Sequence, residues 1–136
     1  MLAQLAREGA AIDRLTSDSR HASAGAAFFA WPGASGDGRG HIAQAIERGC
    51  AAVLWESEGF AWDRAFERAR RVPNAGVKGL RAQAGLLAHQ FYGRPSESMW
   101  VCGVTGTNGK TSCSQWLAHV LSFKKIKTAV IGTLGA

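Results

Sequence analysis

Between Gly103 and Ser112 the chain reads Gly-Val-Thr-Gly-Thr-Asn-Gly-Lys-Thr-Ser. The apolar run Met99-Trp100-Val101-Cys102 precedes it and the amphipathic segment from Cys113 to Leu121 follows. The order predicts a strand, a glycine turn and a helix. Glycines at 106 and 109 let the backbone curl so that successive N–H groups point inward at an anion. A helix starting near Lys110 adds the positive end of its dipole and its unpaired first-turn N–H groups. Lys110 is then placed to reach terminal phosphates and the Thr111 hydroxyl to coordinate Mg²⁺, so the stretch predicts a nucleoside triphosphate site. The general phosphate-loop pattern has glycine where this chain has Val104, with Gly103 one place too early. Cys113, Trp116, Leu117, Val120 and Leu121 recur at helical spacing and predict one buried face.

At 136 residues the chain is long enough for one domain, or for one small domain and part of another. A hydrophobic content of 46% against 19% charged residues excludes a disordered chain. No apolar run approaches the roughly 20 residues of a membrane helix, and the early charge at Arg7 and Glu8 is unlike a signal peptide. An odd set of cysteines without metal spacing (Cys50, Cys102, Cys113) points to reduced thiols and a cytoplasmic setting. The net charge of +6 raises nucleic acid as a partner. Its groups, Arg64, Arg68, Arg70, Arg71 and Lys124, Lys125, Lys127, lack interleaved aromatics, so a solvated face or an anionic small substrate accounts for them better. The histidines show no ligand spacing.

Along the chain, Leu2–Arg7 reads as a short helix and Ala26–Trp31 as a buried strand stopped at Pro32. Gly33-Ala34-Ser35-Gly36-Asp37-Gly38-Arg39-Gly40 follows, a loop permissive enough to make turns or to bring backbone close to a ligand. Ile42, Ala45 and Ile46 mark one face of a helix ended by Gly49, and Ala51–Trp55 reads as a second buried strand. That order predicts a crossover with parallel pairing. A weaker helix is expected between Phe60 and Pro73. Leu80, Ala84, Leu87, Ala88 and Phe91 form a clear helical stripe broken at Gly93-Arg94-Pro95-Ser96. The expected organisation is α/β, with a first domain over residues 1–95. Residues 96–136 then hold a strand, the phosphate loop, a helix and a strand at Thr128–Ile131. A single such unit leaves sheet edges unpaired and one helix face poorly covered, so the chain reads as cut within its second domain.

Thr105-Gly106-Thr107-Asn108-Gly109-Lys110-Thr111 resembles the ATP-binding signature of the Mur ligases, in which the missing first glycine is normal. Ser17-Asp18-Ser19-Arg20, Phe28-Phe29-Ala30 with the Gly33–Gly38 loop, His41-Ile42 to Gly49, Ala51 to Glu56, and Phe91-Tyr92-Gly93-Arg94-Pro95-Ser96 resemble the tripeptide-forming branch of that family in order and spacing. The resemblance covers nearly the whole chain. It implies a small UDP-sugar-binding α/β domain followed by the first βαβ unit of a P-loop ATPase-type central domain. It also implies an ATP-dependent amide ligase of peptidoglycan synthesis that adds the third amino acid to UDP-MurNAc-L-Ala-D-Glu through an acyl phosphate.

Carried over by the resemblance, Ser17, Ser19, Ala34, Ser35 and Gly36 contact the UDP-sugar. Gly106, Thr107, Asn108, Gly109, Lys110, Thr111 and Ser112 hold ATP; Lys110 is catalytic and Thr111 holds Mg²⁺. The implied partners are UDP-MurNAc-dipeptide, ATP and a diamino acid, diaminopimelate or lysine, acting on a cytoplasmic monomer with no nucleic acid and no membrane. Taken alone the chain is expected to be inactive, since the family's carbamylated lysine, second Mg²⁺ ligands and amino-acid-selecting domain have no counterpart in it. Arg39-Gly40-His41 stands where the family has a bulkier residue, which predicts a looser start to the helix after it. Alternatives are the related ligase that adds D-Ala-D-Ala, and an unrelated P-loop kinase or hydrolase, for which UDP-sugar binding by residues 1–95 has no purpose.

Overall fold

The computed structural model describes residues 1–34, 36–67 and 71–132. The chain divides into two compact units, Met1–Glu97 and Ser98–Ala136.

In the first unit, continuous apolar runs make strands because both faces of the sheet are covered. The elements are α1 (Leu2–Arg7), β1 (Arg14–Thr16), β2 (Ala26–Ala30), α2 (Ile42–Glu47), β3 (Ala52–Glu56), β4 (Asn74–Val77) and α3 (Leu80–Phe91). The strands lie in the order β1-β2-β3-β4, all parallel, with Thr16 opposite Phe28, Phe28 opposite Val53 and Val53 opposite Asn74. Alternate side chains enter two cores. Phe28, Ala30 and Val53 pack with Ile42, Ala45 and Ile46 of α2. Ala27, Phe29, Ala52 and Leu54 pack with Leu5 of α1 and Leu80 of α3. A strand buried on both faces reads as an unbroken hydrophobic run rather than an alternation. Each fully buried Phe28 or Leu54 contributes about 1.5–3 kcal/mol.

The expected helices at Leu2–Arg7, around Ile42–Ile46 and at Leu80–Phe91 are present, as are both apolar strands and their parallel pairing. Between Phe60 and Pro73 the expected helix is, among the described residues, a 3-10 turn at Arg64–Glu67; Arg68 and Arg70 lie outside the described residues. The edge strands β1 and β4 carry little sequence signal. Asn74-Ala75-Gly76-Val77 has weak intrinsic β preference, and pairing with Val53–Glu56 recruits it. On β1, the Leu15 N–H donates to the Tyr92 hydroxyl at 3.1 Å, giving one edge amide a partner.

Gly76 is required by packing. A Cβ there would lie 2.8 Å from Cζ2 and Cη2 of the Trp55 indole, whose Nε1 donates to Asn74 Oδ1 at 3.2 Å. Trp55 also stacks on Trp62 with centroids 6.0 Å apart. Gly76→Ala is therefore expected to destabilise the first unit by about 1–3 kcal/mol through overpacking. Thermal melting checks this, and an unchanged melting temperature would show that the indole moves freely.

In the second unit, α4 (Lys110–Phe123) starts at the lysine, as expected. The strands expected at Met99–Cys102 and Thr128–Ile131 are not formed: neither segment carries strand structure. A strand exists through ladder hydrogen bonds to a neighbour, and among the described residues neither segment forms a ladder. They instead line an apolar cleft with α4 through Trp100, Cys102, Leu117, Leu121, Thr128 and Val130. The apolar stripe of α4 is exposed at Trp116, Leu117 and Val120, as expected for a helix face that too few strands cover; among the described residues of this unit no sheet lies against it. Among the described residues no helix is long and apolar enough to cross a membrane.

Candidate functional site

Parallel strands carry their following loops to one edge of the sheet, and in open α/β sheets that carboxyl edge is where ligands bind. Here β1 and β2 are neighbours, so Ser17–Ser19 and the loop after Ala30 emerge side by side. The two loops share one local design. Asp18 caps a 3-10 turn at Ser19–His21: its carboxylate accepts the Arg20 N–H at 2.9 Å and the Arg20 guanidinium at 2.7–3.1 Å. Asp37 does the same for the turn at Gly38–His41, accepting the Arg39 N–H at 2.9 Å and the guanidinium at 2.8–3.0 Å. Hydrogen bonds from the partner guanidinium hold both carboxyls below their ordinary value.

The glycine loop after β2 is closed by hydrogen bonds from Gly33 N–H to Gly36 O at 2.7 Å and from Gly38 N–H to Trp31 O at 3.0 Å. Gly38 lets the loop lie close to β2: a Cβ there would meet Trp31 O at 3.0 Å and Trp31 N at 3.3 Å, so a larger residue requires that backbone to give by a few tenths of an ångström. The turn at Gly38–His41 runs straight into α2. The looser helix start expected from Arg39-Gly40-His41 is therefore not seen; Asp37 and Arg39 stiffen it.

Glu56 completes this edge. Buried at the end of β3, its carboxylate accepts N–H groups from Glu58 at 3.2 Å, Gly79 at 3.0 Å and Leu80 at 2.8 Å. Gly79, left-handed at φ 69°, has no side chain to cap α3, so Glu56 supplies the cap from another element. Burial pushes the Glu56 carboxyl up, but the three N–H donors and the Arg39 charge outweigh it and hold the group below its ordinary value.

Of the expected sugar-contacting residues, Ser17, Ala34 and Gly36 are exposed at this edge. Ser19 is buried and its hydroxyl donates to Gln44 Oε1 at 2.8 Å, leaving only acceptor capacity. Ser35 lies outside the described residues. Arg39 and Glu56 were not singled out as functional from the sequence. The repeated Asp-x-Arg at 18–20 and 37–39 was the available signal for the first, and nothing local marks the second.

In the second unit, Gly106 and Gly109 take positive φ values of 148° and 76°, backbone that L side chains rarely adopt. Gly106 to Ser112 are all exposed. Lys110 Nζ folds back onto the loop, donating to Gly106 O at 2.6 Å and Thr107 O at 3.3 Å. The loop thus presents a cation and the first-turn N–H groups of a 14-residue helix together.

The first unit is thus a small α/β unit built on a doubly covered, four-stranded parallel sheet. Residues 11–92 match the family described as "Mur ligase family, catalytic domain", which is more than half of the chain; the chain belongs to the Mur ligase family. It is similar to the UDP-N-acetylmuramoyl-L-alanyl-D-glutamate--2,6-diaminopimelate ligase of Nitrosomonas europaea, 48% identical over 124 residues, 91% of this chain and 23% of that protein. Proteins of the same name from Chromobacterium violaceum and Ectopseudomonas mendocina are 46% and 49% identical over 98% and 96% of this chain, each covered to 26%. The chain spans about a quarter of the length of these relatives.

Proposed function

We propose that this chain carries the UDP-sugar site and the phosphate loop of an ATP-dependent ligase that joins 2,6-diaminopimelate to UDP-MurNAc-L-Ala-D-Glu in peptidoglycan synthesis. Residues 1–95 act as the UDP-MurNAc-binding domain and residues 96–136 as the start of the ATP-binding central domain. The observation that carries the reading is the placement of Ser17–Ser19 and of Gly33, Ala34 and Gly36 on adjacent loops at one sheet edge, within the matched stretch. Hydroxyls and loop N–H groups are suited to ribose, uracil and diphosphate. The relatives' names favour diaminopimelate over lysine as the third residue.

In the second unit the positive-φ glycines, the exposed first turn of α4 and the Lys110 cation fit a triphosphate. Gly106 to Ser112 hold ATP, and Thr111 offers Mg²⁺ one hydroxyl ligand. Bound Mg²⁺ supplies neutralising charge beside the transferring phosphoryl group. Lys110 adds a second positive charge, held in place before reaction. Small molecules are the partners, and the protein works as a cytoplasmic monomer.

Titrating UDP-MurNAc-dipeptide into the 136-residue chain while following backbone amides tests the site. Shifts are expected at residues 17–19 and 33–38. No shift at millimolar ligand, or shifts confined to another surface, would overturn the assignment.

A further inference from the structure

We infer that Arg39 is a positioning residue for the UDP-sugar loop, strapping it to the end of β3 so that its backbone donors are set before ligand arrives; this rests on the site reading above. The twin Asp-x-Arg turns supply the argument. At the end of β1 the Arg20 guanidinium is spent on Asp18 and stands in solvent, 79% exposed. At the end of β2 the same local turn leaves Arg39 only 12% exposed. Its Nε and Nη2 hold Asp37 while Nη1 crosses to Glu58 O at 2.8 Å and Glu56 O at 3.4 Å. The guanidinium plane also lies over the Phe60 ring, 5.0 Å from its centroid.

One side chain therefore ties the glycine loop to β3, and Glu56 ties β3 in turn to the start of α3. A loop with glycines at 33, 36 and 38 has much backbone entropy to lose on binding. An anchor that removes that freedom beforehand raises affinity without touching the ligand. Lysine cannot replace it, because a single ammonium cannot hold a fork to Asp37 and a strap to Glu58 together.

The test uses UDP as probe with the 136-residue chain, reading affinity from amide shifts and fold integrity from hydrogen exchange in β2 and β3. Arg39→Ala and Arg39→Lys are expected to weaken UDP at least about tenfold while β2 and β3 stay protected. Arg7→Ala, which removes the same charge from α1, is expected to leave affinity within about twofold. Should Arg39→Ala lose protection, Arg39→Lys decides: weak UDP binding with strand protection intact supports the strap, and wild-type affinity overturns it. Unchanged affinity in Arg39→Ala also overturns the strap while leaving the site reading standing. Failure of the wild-type chain to bind UDP at millimolar concentration overturns the site reading and this inference with it.

Discussion

Lys110→Ala, made in a polypeptide of the relatives' full length that carries this chain, is expected to slow ligation by about two to four orders of magnitude. Lys110 Nζ lies against Gly106 O and Thr107 O, so its charge is already fixed within the loop that would hold the phosphates. A charge positioned beforehand stabilises the transition state without reorganisation, and losing it costs several kcal/mol. UDP-sugar binding serves as the internal control, because Ser17–Ser19 and the Gly33–Gly36 loop belong to the other compact unit. That affinity is expected to be unchanged in the variant. A near-normal ligation rate would remove the role assigned to Lys110.

Glu56→Ala is expected to destabilise the first unit strongly. It deprives the N–H groups of Glu58, Gly79 and Leu80 of their acceptor, and Gly79 cannot replace the lost cap. Losing a charged acceptor and a helix cap together is worth about 2–4 kcal/mol. For a domain of this size that lowers the melting temperature by roughly 10–20 °C. The pH dependence has a definite sign. The folded carboxyl is held below its ordinary value of 4.5, so its contribution is complete above that pH and is lost as pH falls through the lower folded value. Glu56→Gln is therefore expected to flatten the fall in stability below about pH 4.5. Calorimetry at pH 7 and pH 3 measures both effects; an equal acid loss in wild type and variant would assign the acid sensitivity to other groups.

Arg39 shows how a site residue can be written in sequence without its role being readable there. Its Asp-x-Arg turn is local, yet the identical turn at Asp18-Ser19-Arg20 leaves the guanidinium in solvent. What separates them is Glu58 and Phe60, brought alongside from the end of β3. Ser19 makes the same point in reverse. The resemblance makes its hydroxyl a sugar contact, but Gln44 Oε1, distant in sequence, accepts that hydroxyl's hydrogen bond and leaves it acceptor capacity only.

The sequence by itself determined the apolar strands β2 and β3, the helices with one-sided stripes, the glycine loops and the glycine turn that leads into α4. In each, the cause lies within a few residues: period, capping or a φ that glycine permits. Tertiary structure decided the rest. β1 and β4 exist because β2 and β3 offer them ladders, and Glu56 became a helix cap because parallel pairing set the end of β3 beside Gly79 and Leu80. Met99–Cys102 and Thr128–Ile131, apolar enough for strands, carry no strand structure, because strand formation needs a paired neighbour as well as a suitable sequence. Propensity is a property of a segment, whereas a ladder, a cap from another element or a strap across a sheet edge is a property of two segments that only the fold brings together.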